Sequence, residues 1–264
     1  LKDIYLEQPD VICFSCYIWN ISFVKELVPD LKKILPHVDF WAGGPEVSYD
    51  AVEFLKKNPA FFGVMLGEGE ETFHELAGYY IERKPENLKE IRGVAFHDET
   101  KVPDIVHTGW RELMDLSKVP FAYSNLTEFK NRIIYYESSR GCPFSCSYCL
   151  SSIDKKLRFR DIELVKKELQ FFIDNKVPQV KFVDRTFNCK HDHAMEIWRY
   201  ITENDNGITN FHFEISADLL RSEELALMKT MRPGLIQLEI GVQSTNPQTI
   251  KAIRRTMDFE KLKG

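Results

Sequence analysis

Glu137-Ser-Ser-Arg-Gly-Cys-Pro-Phe-Ser-Cys-Ser-Tyr-Cys-Leu150 places Cys142, Cys146 and Cys149 in one short loop, directly after the strand-like run Ile133-Ile-Tyr-Tyr-Glu137. The spacing, C-x3-C-x2-C, supplies three thiolates, one fewer than a closed metal site needs. Thiolates prefer iron–sulfur clusters and zinc to hard cations. A four-iron cluster normally takes four such ligands. With three, one iron keeps an open position, and an open metal position is where substrates bind and react. A zinc knuckle is the competing reading. Structural zinc wants four N/S ligands, and no second C-x2-C pair lies within ~30 residues downstream.

Beyond the loop, strand and helix signals alternate. The helix expected over 161–174 sets Ile162, Val165, Leu169 and Phe172/Ile173 at helical spacing. Strand 179–184, helix 191–202, strand 210–216, helix 222–231, strand 235–241 and helix 247–255 follow, with Ser222 as the expected N-cap. These are four βα units of a parallel sheet, and ligands gather at the carboxyl ends of such strands. The polar residues singled out below fall at those ends.

The first third alternates in the same way. Strands are expected at 10–16, 38–44 and 61–66, with helices at 23–35, 49–57 and 70–81 between and after them. A hairpin is expected from Gly93 to Val102. Residues 103–131, with Pro103 and Pro120, read as a linker. The chain is therefore expected to be α/β in two domains, residues 1–107 and 108–264.

Hydrophobic content of 44% with 28% charged residues suits a globular protein, and the net charge of −5 argues against a dominant nucleic-acid face. No run approaches the ~18 apolar residues of a membrane helix, and no signal-peptide pattern opens the chain. Six cysteines without a secretory pattern read as reduced thiols in the cytoplasm. Leu1 opens in what reads as a helix under way and Gly264 closes a charged segment, so a piece of a longer protein is expected, with or without turnover of its own.

The three cysteines, with Arg140-Gly141 before the first and Tyr148 before the last, resemble the signature of the radical SAM superfamily, and the likeness extends over about residues 108–264. It implies a partial radical SAM (β/α) barrel, a [4Fe-4S] cluster on Cys142, Cys146 and Cys149, and reductive cleavage of S-adenosylmethionine (SAM) to a 5′-deoxyadenosyl radical. The cofactor carries the difficult chemistry while the protein orients and excludes water. Tyr148 matches an aromatic position near the adenine. Phe182-Val-Asp-Arg-Thr-Phe-Asn188 stands where the family often has a glycine-rich turn for the methionine ammonium; the glycines are missing, and Asp184 either accepts from that ammonium or pairs with Arg185. Glu214 matches an acidic residue beside SAM in some members, with a barrel salt bridge as its other use. Gly241-Val-Gln-Ser244 resembles the segment whose glutamine, here Gln243, contacts the ribose beside Ser244. Arg255 matches an arginine that pairs with the methionine carboxylate, a task suited to its forked guanidinium.

The first region resembles the later part of a Rossmann-like, flavodoxin-type cobalamin-binding domain through Ser15, the Gly43-Gly44 pair and Gly67-Glu-Gly-Glu70. Small residues at strand ends let a flat corrin tail approach the backbone. The D-x-H-x-x-G stretch that supplies a cobalt-binding histidine in some relatives does not occur in these 264 residues. Cys13-x2-Cys16 reads as buried thiols on opposite strand faces, and Cys189-x-His191-x-His193 as a helix start with solvated histidines. Together the resemblances imply a radical SAM enzyme of unknown substrate that draws electrons from a reductant such as flavodoxin or ferredoxin, with cobalamin-dependent methyl transfer among the reactions open to it. The alternative is a non-enzymatic zinc or iron–sulfur module in a larger assembly.

Overall fold

The structure, a computed structural model, describes residues 1–84, 86–98, 100, 104–153 and 155–263. The chain divides into two compact units, Leu1–Met114 and Asp115–Gly264.

In the first unit, helix α1 (Lys2–Leu6) leads to strand β1 (Val11–Ser15), helix α2 (Ile21–Ile34), strand β2 (Asp39–Gly43), helices α3 (Pro45–Ser48) and α4 (Ala51–Lys57), strand β3 (Gly63–Met65) and helix α5 (Glu70–Glu82). Strands β4 (Val94–His97) and β5 (Ile105–His107) complete a five-stranded sheet in the order β1-β2-β3-β4-β5. The first three strands are parallel and the last two antiparallel. Alternation along β2 sends Phe40 and Ala42 into one apolar layer with Val24, Val28 and Leu31 of α2, and Trp41 into another with Met65, Leu76 and Phe96. Both sheet faces are thus covered, as a parallel sheet requires. The expected hairpin at 93–102 lies further on: β4 pairs with β5 inside the stretch read as linker, and Lys101, Val102 and Pro103 fall outside the described residues. Segment 108–114 stays with the first unit, whereas the sequence placed it with the second. Arg111 binds Glu75 through both amino groups, at 3.2 and 2.5 Å, and the Met114 N–H donates to Glu68 at 3.4 Å.

The second unit carries strand β6 (Ile134–Tyr136), the short strands β7 (Ser139–Arg140) and β8 (Arg158–Phe159), helix α6 (Ile162–Asp174), strand β9 (Gln179–Phe182), helix α7 (His191–Glu203), strand β10 (Asn210–Ile215), helix α8 (Ser222–Met228), strand β11 (Ile236–Ile240) and helices α9 (Pro247–Ala252) and α10 (Phe259–Lys263). Its main sheet runs β11-β10-β9-β6, all parallel. One face is aromatic. Phe182, Phe187 and Phe213 pack in tilted and edge-on contacts, with centroids 4.3–5.3 Å apart, against Trp198 of α7. Burial of each such ring contributes roughly 1.5–3 kcal/mol. The opposite face is polar: Tyr135, Gln179, Lys181, His212, Glu214, Gln237 and Glu239 share it through the parallel register. Asp161 caps α6 by accepting from the Glu163 and Leu164 N–H groups, at 3.0 and 3.1 Å. At α8 the cap is Arg221, not the expected Ser222, because the Glu224 carboxylate reaches back to the Arg221 N–H at 2.7 Å. Among the described residues, no helix is long and apolar enough to cross a membrane.

A buried ion pair fastens the segment entering this unit. Arg160 and Glu168 are bidentate at 2.9 and 2.5 Å, Tyr136 donates its hydroxyl to Glu168 at 2.6 Å, and Arg160 also donates to the carbonyls of Leu116 and Val119. Removing one partner of such a pair strands the other charge in a dry interior. Arg160→Met should therefore lower urea-unfolding stability by about 3–5 kcal/mol, and adding Glu168→Met should return part of that loss. Equal losses in the single and double variants would contradict the assignment.

Candidate functional site

The cysteine loop is closed at its base by the antiparallel β7–β8 pair, Arg140 opposite Arg158, which the sequence did not reveal. Gly141 has a φ of +97°, and a Cβ there would lie 2.6 Å from the Lys156 carbonyl oxygen, so only glycine passes. Cys142 and Cys146 are buried, Cys149 is half-buried, and all three are free thiols. The Cys149 N–H donates to the Cys146 carbonyl at 3.2 Å, and Lys155 ties the Phe144 carbonyl and Ser145 hydroxyl at 2.5 and 2.7 Å. Among the described residues, no three His, Cys, Asp or Glu side chains converge on a single ion. Cys142, Cys146 and Cys149 come from one short loop, and three thiolates are the donor set that leaves a four-iron cluster with one open iron.

The loop is joined to the end of β11. The Ser147 N–H donates to the Ile253 carbonyl at 2.9 Å, and Arg255 donates through Nη1 to the Tyr148 hydroxyl at 3.2 Å and through Nη2 to the Gly241 carbonyl. Arg255 Nε is buried, with no partner among the described residues. A buried orphan donor on a cation costs free energy unless an acceptor arrives, and a carboxylate suits it. Gln243 is exposed with a φ of +60°, and Ser244 accepts from the Asn246 N–H at 3.1 Å at the start of α9. The structure thus brings Tyr148, Gln243, Ser244 and Arg255 to one end of the sheet. Glu214 is half-buried on the polar sheet face, 3.7 Å from Lys181, which also pairs with Glu239 at 3.1 Å. This is the salt-bridge use of Glu214.

In the first unit, Cys16 N–H extends the β1–β2 ladder to the Gly43 carbonyl at 2.7 Å. The glycine pair serves the chain's own packing: a Cβ on Gly43 would meet Met65 at 3.2 Å, and one on Gly44, φ +103°, would meet the Cys16 carbonyl at 2.6 Å. Ser15, by contrast, is exposed, and nothing lies within 4 Å of a Cβ built on Gly69. The Tyr17–Trp19 pair beside Ser15 stacks at 4.6 Å, with Trp19 76% exposed. Ser15 and the aromatic pair just beyond it leave the end of β1 open to a flat group. Cys13 is exposed and only Cys16 is buried, because Cys13 falls on the outward phase of β1.

The family model of the B12 binding domain matches residues 1–77, and that of the radical SAM superfamily matches residues 136–263. The chain thus carries a B12 binding domain followed by a radical SAM domain. It is 29% identical over 192 residues to the cobalamin-dependent radical SAM methyltransferase TokK of Streptomyces tokunonensis, covering 68% of this chain and 28% of that protein. It is 25% identical over 272 residues to the hopanoid C-3 methylase of Methylococcus capsulatus, covering 99% of this chain and 50% of that protein. The structure of the methyltransferase TsrM from Kitasatospora setae, with cobalamin and a [4Fe-4S] cluster bound, superposes with a TM-score of 0.73 at 15% identity, covering 99% of this chain and 54% of that one. The chain spans about half, or less, of the length of these relatives. A radical SAM domain takes a [4Fe-4S] cluster and SAM, and a B12 binding domain takes cobalamin.

One residue of this radical SAM unit departs from both uses expected of it. Asp184 is fully buried, so it has no oxygen open to a SAM ammonium, and it does not pair with Arg185, which is exposed. Oδ1 accepts from the Ser138 N–H at 2.9 Å, and Oδ2 accepts from the hydroxyls of Ser138, at 2.8 Å, and Ser139. His193 Nε2 lies 3.1 Å from the Ser138 hydroxyl. The histidines expected to be solvated are not: His193 is buried, and His191 sits between Glu223 and Glu224 at 3.4 and 3.1 Å. Among the described residues, Cys189 and these histidines form no metal-ligating group.

Burial pushes the Asp184 carboxyl up to about 6, against the pull of the serine hydrogen bonds, and pushes His193 down to about 4. A lowered histidine supports the fold while neutral, so its contribution is complete above about pH 6.5 and is lost as pH falls toward 4. A raised carboxyl has the opposite sign, and stability returns between about pH 6 and 3.8. His193→Gln removes the first window alone. Relative to wild type, the variant should gain about 3 kcal/mol in urea unfolding between about pH 7.5 and 4, at ~1.36 kcal/mol per unit. A constant difference across that range would refute the reading.

Proposed function

We propose that this chain is the cofactor-bearing portion of a radical SAM enzyme that holds a [4Fe-4S] cluster on Cys142, Cys146 and Cys149 and cleaves SAM reductively. When bound, the cluster supplies the electron for cleavage of SAM to a 5′-deoxyadenosyl radical. The observation that carries the reading is the Arg255 guanidinium, held by Tyr148 of the cysteine loop and by Gly241 at the end of β11, with its buried Nε unpartnered among the described residues. A methionine carboxylate placed there would lie beside the loop that provides the metal ligands. Tyr148 orients that arginine, and the exposed Gln243, with Ser244 behind it, stands where a ribose would be met. Glu214 acts through its charge on the polar sheet face, next to Lys181. Ser15, with the backbone at Gly43 and Gly44, would receive cobalamin in the first unit.

Similarity to TokK and to the hopanoid methylase supports a cobalamin-dependent methyl transfer or a related radical transformation. The electron would come from a small carrier such as a flavodoxin or ferredoxin. Free thiols around an oxygen-sensitive metal centre suit the reducing cytoplasm.

Anaerobic reconstitution followed by iron and sulfide analysis should give one four-iron cluster per chain, abolished by Cys142→Ala. Arg255→Ala should weaken SAM binding by at least about tenfold in calorimetry, the effect of a lost charge-assisted hydrogen bond of about 1.4 kcal/mol or more. Gln243→Ala should weaken it less. Iron content should be the same in both variants as in wild type. One zinc per chain without iron would support the module reading instead, and an unchanged SAM affinity in Arg255→Ala would remove the arginine from the site.

A further inference from the structure

The buried acids of the second unit are compensated in different ways. Glu168 is paired with Arg160, and Glu224 faces His191 and the Arg221 N–H. Asp184 is 0% exposed and, among the described residues, has no lysine or arginine within ion-pair distance. Its donors are one backbone N–H and two hydroxyls. An ionised carboxylate buried without a cation costs several kcal/mol. The geometry does not require that charge. Serine hydroxyls rotate freely and act as donors or acceptors, so an asparagine at 184 would keep an acceptor for the Ser138 N–H and offer an amide to a reversed hydroxyl.

The placement of the charge points to its use. Asp184 grips Ser138-Ser139, the dipeptide that leads through Arg140-Gly141 into Cys142. From the other side, Thr186, two residues beyond Asp184, brings its hydroxyl to 4.0 Å from the Cys142 sulfur. The carboxylate therefore holds the segment leading into Cys142, and the turn it belongs to carries the hydroxyl on the other side of that sulfur. Charge, hydrogen bonding and burial around a cluster set its potential, and a fixed anion in a low-dielectric wall opposes the addition of an electron.

We propose that Asp184 is a positioning residue for Cys142 whose buried negative charge also holds down the reduction potential of the cluster carried by the loop. The inference rests on the cluster reading above. It makes Asp184 a determinant of how strongly the cluster reduces, not a contact to SAM. If Asp184 were only a structural plug, an isosteric neutral residue would leave the potential where it is.

The test compares reconstituted wild type, Asp184→Asn, Asp184→Ala, Ser139→Ala and Cys142→Ala by iron and sulfide analysis and by an anaerobic dithionite titration with mediators, followed by EPR, at about pH 8, where a carboxyl pushed up to about 6 is ionised. Asp184→Asn should keep the wild-type iron content and move the midpoint to a more positive potential. Asp184→Ala should hold several-fold less iron. Ser139→Ala, which drops a donor and keeps the charge, should leave the midpoint at or below the wild-type value. An unmoved or more negative midpoint in Asp184→Asn overturns the proposal, as does wild-type iron and potential in Asp184→Ala. If Asp184→Asn fails to fold, a positive shift in Ser139→Ala overturns it and an unshifted or lower value sustains it. Wild type that takes up no iron, or Cys142→Ala that keeps it, would end the cluster reading and this proposal with it.

Discussion

Backbone ladders stop where strands stop, and in the second unit side chains from one turn take over. The turn after β9 reaches in both directions. Asp184 binds the Ser138 N–H beyond the end of β6, and Asn188 exchanges two hydrogen bonds with Ser216 at the end of β10, at 2.9 and 3.0 Å. Both side chains are buried, so these bonds form in a medium where leaving them unmade is expensive. Three adjacent strand ends are thereby locked to one another. The cysteine loop hangs from the first of them. That lock adds to the β7–β8 pair and the Lys155 bonds in holding the loop to the tolerance a metal centre demands.

The two faces of the second sheet divide the work. Phenylalanines on one side bind it to α6 and α7, and the charges on the other are kept in register by mutual pairing. A barrel interior is commonly filled by branched aliphatic residues in layers. Here the corresponding face offers amides, carboxylates, a lysine and an imidazole, with Lys181 between Glu214 and Glu239. Such a face is built to be wetted or to meet hydrogen-bonding groups, and it leaves the apolar stabilisation of the unit to the helix side.

Features that repeat at short range were legible in the sequence. The strand at 210–216 was read close to its observed span, the spacing of Val165, Leu169 and Phe172 revealed the inner side of α6, and three cysteines within eight positions declared a ligand loop. Features that join distant positions were not. Asp184 and Ser138 are 46 residues apart, and Arg160 and the Leu116 carbonyl 44, so neither contact leaves a period or a motif behind. Asp184 read as a ligand residue because a lone acid at a strand end resembles one; only the positions of Ser138 and Ser139 show that both of its oxygens are already engaged. The β7–β8 pair was missed because two-residue strands carry too few side chains to alternate. The Tyr148–Arg255 contact was partly legible, since each matched a family position, but their direct bond was not.

A hydroxyl group has one hydrogen. Ser138 gives its own to Asp184, so toward His193 it has only lone pairs to offer. The imidazole must then keep its hydrogen on Nε2 and leave Nδ1 bare. A carboxylate at the rim of one strand thus dictates, through a single relay atom, the tautomer of a ring on the next helix, and the relay has only one direction as long as that carboxylate stays ionised.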